Sequence, residues 1–338
     1  MTQEELQETG KQKILDNKKL ILHLAPRSGK TKIALSAVNL IEGTKLISVP
    51  SEFIIDSWKA ECKKWEIDET QFNFCCHASL HKQGHYDIVI IDEIHSAISD
   101  IRIEGIKQIH PDRIIGLSGS MSRKAIEVLK DKLGLEIKMN YTVDQAVSHN
   151  VVADYRIYVH KIPLLTTELK EYTRLSASVE WCKFNGRGKQ LMFASLKRAR
   201  FLYNLKSKNE YTKRLINNFD RYLLFAQLTN VADELCSYSF HSKGLGNTLE
   251  AFKNEEINHL GVCKLANEGV TIPNLDIAVL VAINSSEISA IQRILRTMTN
   301  EGDGKIASIH VVISKDTQEE LWLREALKSF DQTKINVI

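Results

Sequence analysis

Charge imbalance, targeting signals and metal spacing are all missing from this sequence. Lysine and arginine total 45 against 42 acidic residues, a formal net charge of +3. An excess that small is compatible with a nucleic-acid partner but does not argue for one. The six cysteines, Cys62, Cys75, Cys76, Cys182, Cys236 and Cys263, contain no C-x-x-C pair and no zinc spacing. They read as small buried hydrophobes in a reducing compartment rather than as metal ligands. The opening stretch MTQEELQETGKQK is polar and lacks the apolar segment of a signal peptide. No apolar run is long enough to span a bilayer, so a soluble, cytoplasmic protein without a membrane partner is expected. Short-period repeats and low-complexity tracts are also missing, which excludes solenoids and disordered linkers as the main architecture.

What is present is an ordinary globular composition, 43% hydrophobic and 26% charged, over 338 residues. That length exceeds what one hydrophobic core usually supports, so two domains are expected. Short apolar runs at 20–24, 45–49, 72–77, 88–91 and 114–117 read as buried strands. Helical spacing of apolar residues fills 30–41, 54–65 and 124–133 between them. Such alternation predicts an α/β domain with a parallel sheet covered on both faces, over about 1–147. Residues 134–150 read as the exit from it. A second α/β pattern occupies 148–338, with strands at 155–162, 223–226, 259–263, 277–281 and 309–313 and helices at 230–238 and 287–298. A helical insertion at about 165–221, interrupted near Asn185-Gly186-Arg187-Gly188, opens this second domain.

Chemistry first becomes legible at Ala25-Pro26-Arg27-Ser28-Gly29-Lys30-Thr31, where the strand KKLILHL runs directly into a helix. A phosphate-binding loop needs this context. Glycine at 29 permits the backbone N–H groups of Arg27, Ser28 and Gly29 to face phosphate, and the helix N-terminus adds partial positive charge. Lys30 would then reach the β- and γ-phosphates of ATP, and the Thr31 hydroxyl would ligate Mg²⁺. The pattern G-x-x-x-x-G-K-[ST] also wants a glycine at position 24, which is leucine here. A serine-capped helix start is the plainer alternative.

The apolar run 88–91 ends in Asp92-Glu93-Ile94-His95. Adjacent carboxylates at the C-terminal end of a buried strand sit where open α/β sheets place their ligands. Asp92 suits the Mg²⁺ coordination sphere, and Glu93 suits orienting or deprotonating an attacking water. A charged cap after a strand is the alternative.

Together these segments resemble the DExH/DEAH branch of superfamily 2 helicases, Asp92-Glu93-Ile94-His95 as motif II and Ser28-Gly29-Lys30-Thr31 as motif I. The resemblance implies two RecA-like domains, ATP between them and nucleic acid across the top. It assigns His95 to the nucleotide side. Further segments fall in the family's order. Val49-Pro50-Ser51 resembles motif Ia and Ala78-Ser79-Leu80 a neighbouring backbone contact, placing Pro50, Ser51 and Ser79 on nucleic acid. Ser118-Gly119-Ser120 is similar to motif III, and 223–227 to motif IV. Phe240-His241-Ser242-Lys243 follows, giving His241 and Lys243 as further strand contacts. Residues 267–274 resemble motif V of phage and restriction-type helicases, with Gly269 toward nucleotide and Thr271 toward nucleic acid.

Residues 292–299 resemble motif VI, Q-x-x-G-R-x-x-R, with two departures: Leu295 replaces the glycine and Thr299 the final arginine. Gln292 and Arg296 are therefore the catalytic candidates from this segment, with Arg293 a substitute for the arginine that stabilises charge on the transferring phosphoryl group. The family commonly reads adenine with an upstream glutamine. Gln7 and Gln12 both qualify, and spacing does not choose between them.

Seven basic residues against Glu210 alone lie between 195 and 214, either a phosphate-binding helix or a solvated face. Phe201 reads as core and Tyr203 as a residue able to stack on a base. The expectation is a monomeric ATP- and Mg²⁺-dependent helicase or translocase acting on single-stranded or branched DNA, with RNA as the other option. Processing of phage-type replication, recombination or R-loop intermediates in a host cytoplasm would fit. Two rivals stand beside it. One is an ATP-gated clamp or annealing factor with slow hydrolysis, suggested by Thr299. The other is the motor subunit of a restriction-like complex.

Overall fold

The computed structural model describes residues 1–25, 27–241, 247–263, 272, 274–284, 306–328 and 330–338. The chain divides into two compact units, Met1–Val152 and Ala153–Ile338. No described helix is long and apolar enough to cross a membrane.

The first unit carries a six-stranded, all-parallel sheet in the order β3-β2-β4-β5-β1-β6. Its strands are β1 (Lys19–Leu24), β2 (Lys45–Val49), β3 (Phe72–Cys76), β4 (Ile88–Ile91), β5 (Arg113–Ser118) and β6 (Ile137–Tyr141). Every residue of β4 is buried, as are Leu20, Ile21 and Leu22 of β1. Helices on both faces leave no polar side for an alternating pattern, so these strands read as continuous apolar runs. On one face Ile21, Leu46, Val89 and Ile91 pack with Ile103 and Ile106 of one helix and Leu129 and Leu133 of another.

Helix α1 (Gln3–Asp16) begins with a capping box between Thr2 and Glu5. It lies against α2 (Lys30–Val38), and the close approach requires Gly10: a Cβ there would lie 2.9 Å from Ile33. The segment 134–150, expected to be only an exit, forms the edge strand β6 and the short helix Val143–Ser148 instead. Exposed residues alternate along β6, as an edge position allows, so no apolar run announced it.

The second unit holds a seven-stranded parallel sheet in the order β13-β7-β12-β11-β8-β10-β9. Its strands are β7 (Asp154–Ile162), β8 (Tyr222–Ala226), β9 (Ser239–Phe240), β10 (His259–Cys263), β11 (Ile277–Leu280), β12 (Ile306–Ser314) and β13 (Ile335–Val337). Three helices fill the connection from β7 to β8. They are Thr166–Phe184, Gly188–Tyr203 and Lys206–Ile216, and the interruption falls at the expected Asn185-Gly186-Arg187 turn. The helix expected at 287–298 lies outside the described residues.

Candidate functional site

Three strands that neighbour one another in the sheet, β4, β5 and β1, end at the candidate chemistry. The loop after β1 turns through two left-handed residues, Arg27 (φ 60°) and Gly29 (φ 81°), before α2 starts at Lys30. A left-handed arginine is uncommon, and such strain persists where the surroundings impose it, often at ligand sites. Ser28 is fully buried, and its Oγ has no hydrogen-bond partner among the described residues. Lys30 Nζ lies 3.3 Å from the carbonyl oxygen of Leu24, folded back over the loop. Thr31 is half-buried in the first turn of α2.

Helix α1 supplies what spacing did not decide. Gln7 lies directly on the loop, so close that a Cβ at Gly29 would fall 2.5 Å from Gln7 Nε2. Gln3 Nε2 donates to the Arg27 carbonyl at 3.1 Å. Gln12 is turned away, donating to Asp16 at 2.8 Å on the exposed side of the helix.

The carboxylates are held from several directions. Asp92 Oδ1 accepts from the Glu93 backbone N–H at 2.9 Å. Asp92 Oδ2 accepts from the indole N–H of Trp58 at 3.1 Å, and Trp58 is only 2% exposed. Trp58 stands on α3 (Glu52–Lys64), which follows β2. Beneath Asp92 is His77, with Nε2 2.9 Å from the Asp92 carbonyl and Nδ1 2.7 Å from Ser48 Oγ. A carbonyl can only accept, so Nε2 carries the proton and Nδ1 accepts from the serine hydroxyl. Burial pushes the His77 pKa down to about 4, which keeps the ring neutral.

Glu93 is itself left-handed (φ 45°), and its Oε2 accepts from the backbone N–H of Gly119 at 3.4 Å. His95 Nδ1 is 3.4 Å from Glu93 Oε2 and 2.8 Å from Ser118 Oγ, and Ser118 Oγ donates to the Ser120 carbonyl. His23 at the end of β1 completes the floor. Its hydrogen bonds reach Asn140 and the Gly119 backbone. Burial, reinforced by the nearby Lys30 charge, lowers its pKa. Gly119 therefore touches both the Glu93 carboxylate and the strand that leads to the phosphate-type loop.

The structure thus brings Arg27, Ser28, Gly29, Lys30 and Thr31 to one strand end and Asp92, Glu93 and His95 to another, with Ser118-Gly119-Ser120 at β5 between them. Pro50, Ser51 and Ser79 are half-buried at the ends of β2 and β3. The His241 side chain is 7% exposed, with its Nε2 2.9 Å from Asp233 Oδ1. The basic stretch 195–214 also divides. Lys208 is fully buried against Glu319 at 2.8 and 3.0 Å, so it is not a solvated phosphate contact, whereas Lys213 is exposed and pairs with Glu234 at 2.9 Å. Lys243, Gly269, Thr271, Gln292, Arg293, Arg296 and Thr299 lie outside the described residues. Sequence reasoning missed Trp58, His77 and His23. The only signal for Trp58 is that a buried indole N–H needs an acceptor.

A fold of this kind has many solved counterparts. The structure matches the ATP-dependent Type ISP restriction-modification enzyme LlaBIII bound to DNA at TM-score 0.67 and 13% identity, over 99% of this chain and 31% of that one. It matches Saccharomyces cerevisiae Dbp5 bound to RNA and ADP BeF3 at TM-score 0.63 and 12% identity, over 99% and 89%. The Pyrococcus furiosus Hef helicase domain aligns at TM-score 0.54 and 14% identity, over 95% and 96%. The fold is the one these structures share, two RecA-like units each built on a parallel sheet.

Two curated sequence relatives carry helicase names. "Putative helicase 22" of a Sulfolobus islandicus filamentous virus is 26% identical over 72% of this chain and 45% of its own length. "Putative DNA 3'-5' helicase Rad25" of Haloarcula marismortui is 21% identical over 92% and 52%. The chain spans about half the length of these curated relatives. No protein-family model matches it.

Proposed function

We propose that this chain is a superfamily 2 motor, an ATP-hydrolysing nucleic-acid helicase or translocase. One observation supports this most: the loop 27–31 and the pair Asp92/Glu93 stand on strands flanking β5, with Gly119 linking Glu93 to the floor of the loop. The orphaned Ser28 hydroxyl and the left-handed Gly29 fit a loop whose polar groups close around phosphate oxygens.

In this reading Lys30 would hold phosphate oxygens, and Thr31 and Asp92 would hold Mg²⁺, whose charge offsets that of the transferring phosphoryl group. Glu93 accepts the proton of the attacking water, and the Gly119 N–H holds its carboxylate in the accepting orientation. Gln7, resting on Gly29, is the residue placed to read the base. Ser118-Gly119-Ser120 reaches Glu93 directly and His95 through Ser118 Oγ, so movement of this strand end couples hydrolysis to the grip on nucleic acid. Gln292 and Arg296 are assigned by resemblance to charge stabilisation, and Pro50, Ser51, Ser79, Lys243 and Thr271 to the nucleic-acid backbone. Single-stranded or branched DNA is the substrate we favour, with the chain acting as a monomer.

Steady-state ATPase measured across single-stranded DNA, duplex DNA, forked DNA, RNA and RNA–DNA hybrid tests this. Strand-stimulated turnover that Glu93→Gln abolishes is expected. Nucleotide-dependent strand binding with no stimulated turnover would instead establish the clamp. No response to any nucleic acid would overturn the motor.

A further inference from the structure

The helical hairpin between β7 and β8 exposes side chains that a folded surface normally hides. Its first helix, Thr166–Phe184, buries Leu175, Val179 and Cys182, and its second, Gly188–Tyr203, buries Ala199 and Leu202. Those residues are the packing faces. Outside them Phe184 is 92% exposed, Phe193 64% and Trp181 52%, and Met192 and Leu196 are also exposed. Isolated exposed apolar residues are common, but several large ones grouped on one element mark an interaction surface.

The charge pattern identifies the partner. Residues 181–200 carry six basic side chains and no acidic one. Lys183, Lys189 and Arg200 are exposed and form no ion pair among the described residues. Arg187 already stacks on the Trp181 ring at 4.8 Å. On the second helix Lys189, Phe193, Leu196 or Lys197, and Arg200 recur at intervals of three or four residues. They therefore form one stripe, apolar and basic in alternation, roughly 16 Å long. The acids of the hairpin lie on the first helix, where Glu171 pairs with Arg174 and also feels the charge of Lys197, and Glu180 is exposed; the turn and the second helix carry none. A strand of nucleic acid demands both cations along a track and flat rings for its bases.

We infer that this hairpin is a stacking platform for single-stranded nucleic acid. Phe184 and Phe193 lie against bases, and Lys189, Lys197 and Arg200 follow the phosphates. The platform differs from the earlier basic candidates of the next helix, where Lys208 and Lys213 are tied to glutamates. This inference rests on the proposal that the chain acts on nucleic acid, and it adds a site in the second unit, whereas the loop and carboxylates belong to the first.

Fluorescence anisotropy with labelled oligo(dT) and oligo(U) over a range of salt tests it. The double variant Phe184→Ala/Phe193→Ala should lose about tenfold or more in affinity with an unchanged salt slope, because stacking releases no counterions. Phe184→Trp should restore binding, whereas Phe184→Leu, apolar but without a ring face, should not. Lys189→Gln/Lys197→Gln/Arg200→Gln should reduce the salt slope by about two. All these positions are on the surface, so thermal unfolding should stay near that of the unaltered chain. Aromatic variants that bind both strands like the unaltered chain would overturn the platform while leaving the motor reading intact. If those variants instead shifted sedimentation from an oligomer to a monomer, the face would be a protein contact. If the unaltered chain bound neither strand, both readings would fall.

Discussion

Replacing Trp58 with phenylalanine removes one hydrogen bond to Asp92 and leaves a ring in the same pocket. The indole N–H is 3.1 Å from Asp92 Oδ2, and the side chain is 2% exposed, so little water stands ready to replace it. A hydrogen bond to a charged acceptor contributes about 1.5–3 kcal/mol. Here that contribution fixes the carboxylate rotamer, because Oδ1 is already held by the Glu93 N–H at 2.9 Å. With Asp92 holding Mg²⁺ as proposed, loss of a hydrogen-bond partner of that carboxylate weakens metal affinity roughly 10–100-fold. Trp58→Phe should therefore raise the Mg²⁺ concentration needed for tight nucleotide binding by about that factor, while binding in EDTA stays unchanged. Titration with a fluorescent adenine nucleotide at stepped Mg²⁺ reads this directly, and thermal unfolding records the cost of the smaller ring separately. An unchanged Mg²⁺ midpoint would refute the reasoning, and an equal loss with and without Mg²⁺ would make Trp58 purely a packing residue.

Gln7→Ala should weaken adenine nucleotide binding and narrow the preference for ATP over GTP, whereas Gln12→Ala should do neither; competition titrations distinguish the two glutamines that spacing left equal. Lys208→Met should cost about 3–5 kcal/mol of stability by denaturant unfolding, since it strands the Glu319 carboxylate in the interior. Lowering pH should destabilise the first unit through His77. Its folded pKa of about 4 lies below the ordinary 6.5, so the neutral ring's contribution is complete above 6.5 and is lost as pH falls toward 4. That loss is about 3 kcal/mol, and a His77→Gln variant should flatten the acid limb of a stability–pH profile.

Much of the first unit was legible because its strands are covered on both faces. The runs 45–49 and 88–91 coincide with β2 and β4 for this reason, and the ends of such runs mark the neighbourhoods of Lys30 and Asp92 in the sequence itself. The edge strand β6 escaped notice because its exposed residues break the apolar run. In the second unit the turn at 185–187 showed through as a Gly-rich interruption, but the pairing of Lys208 with Glu319 joins residues far apart in the chain. A basic stretch looks the same in sequence whether its lysines face water or a buried glutamate.

The sequence by itself determined the strand–helix alternation, the loop before Thr31, the Asp92/Glu93 pair and the order of the segments that resemble superfamily 2 motifs. These depend on local spacing and composition, which a linear chain displays. Only the tertiary structure decided that Gln7, not Gln12, rests on Gly29, that Trp58 and His77 hold Asp92, and that Gly119 meets Glu93. Each of those contacts depends on which helix face or strand end packs against which. The sheet order β4-β5-β1 sets that, and no spacing along the chain records it.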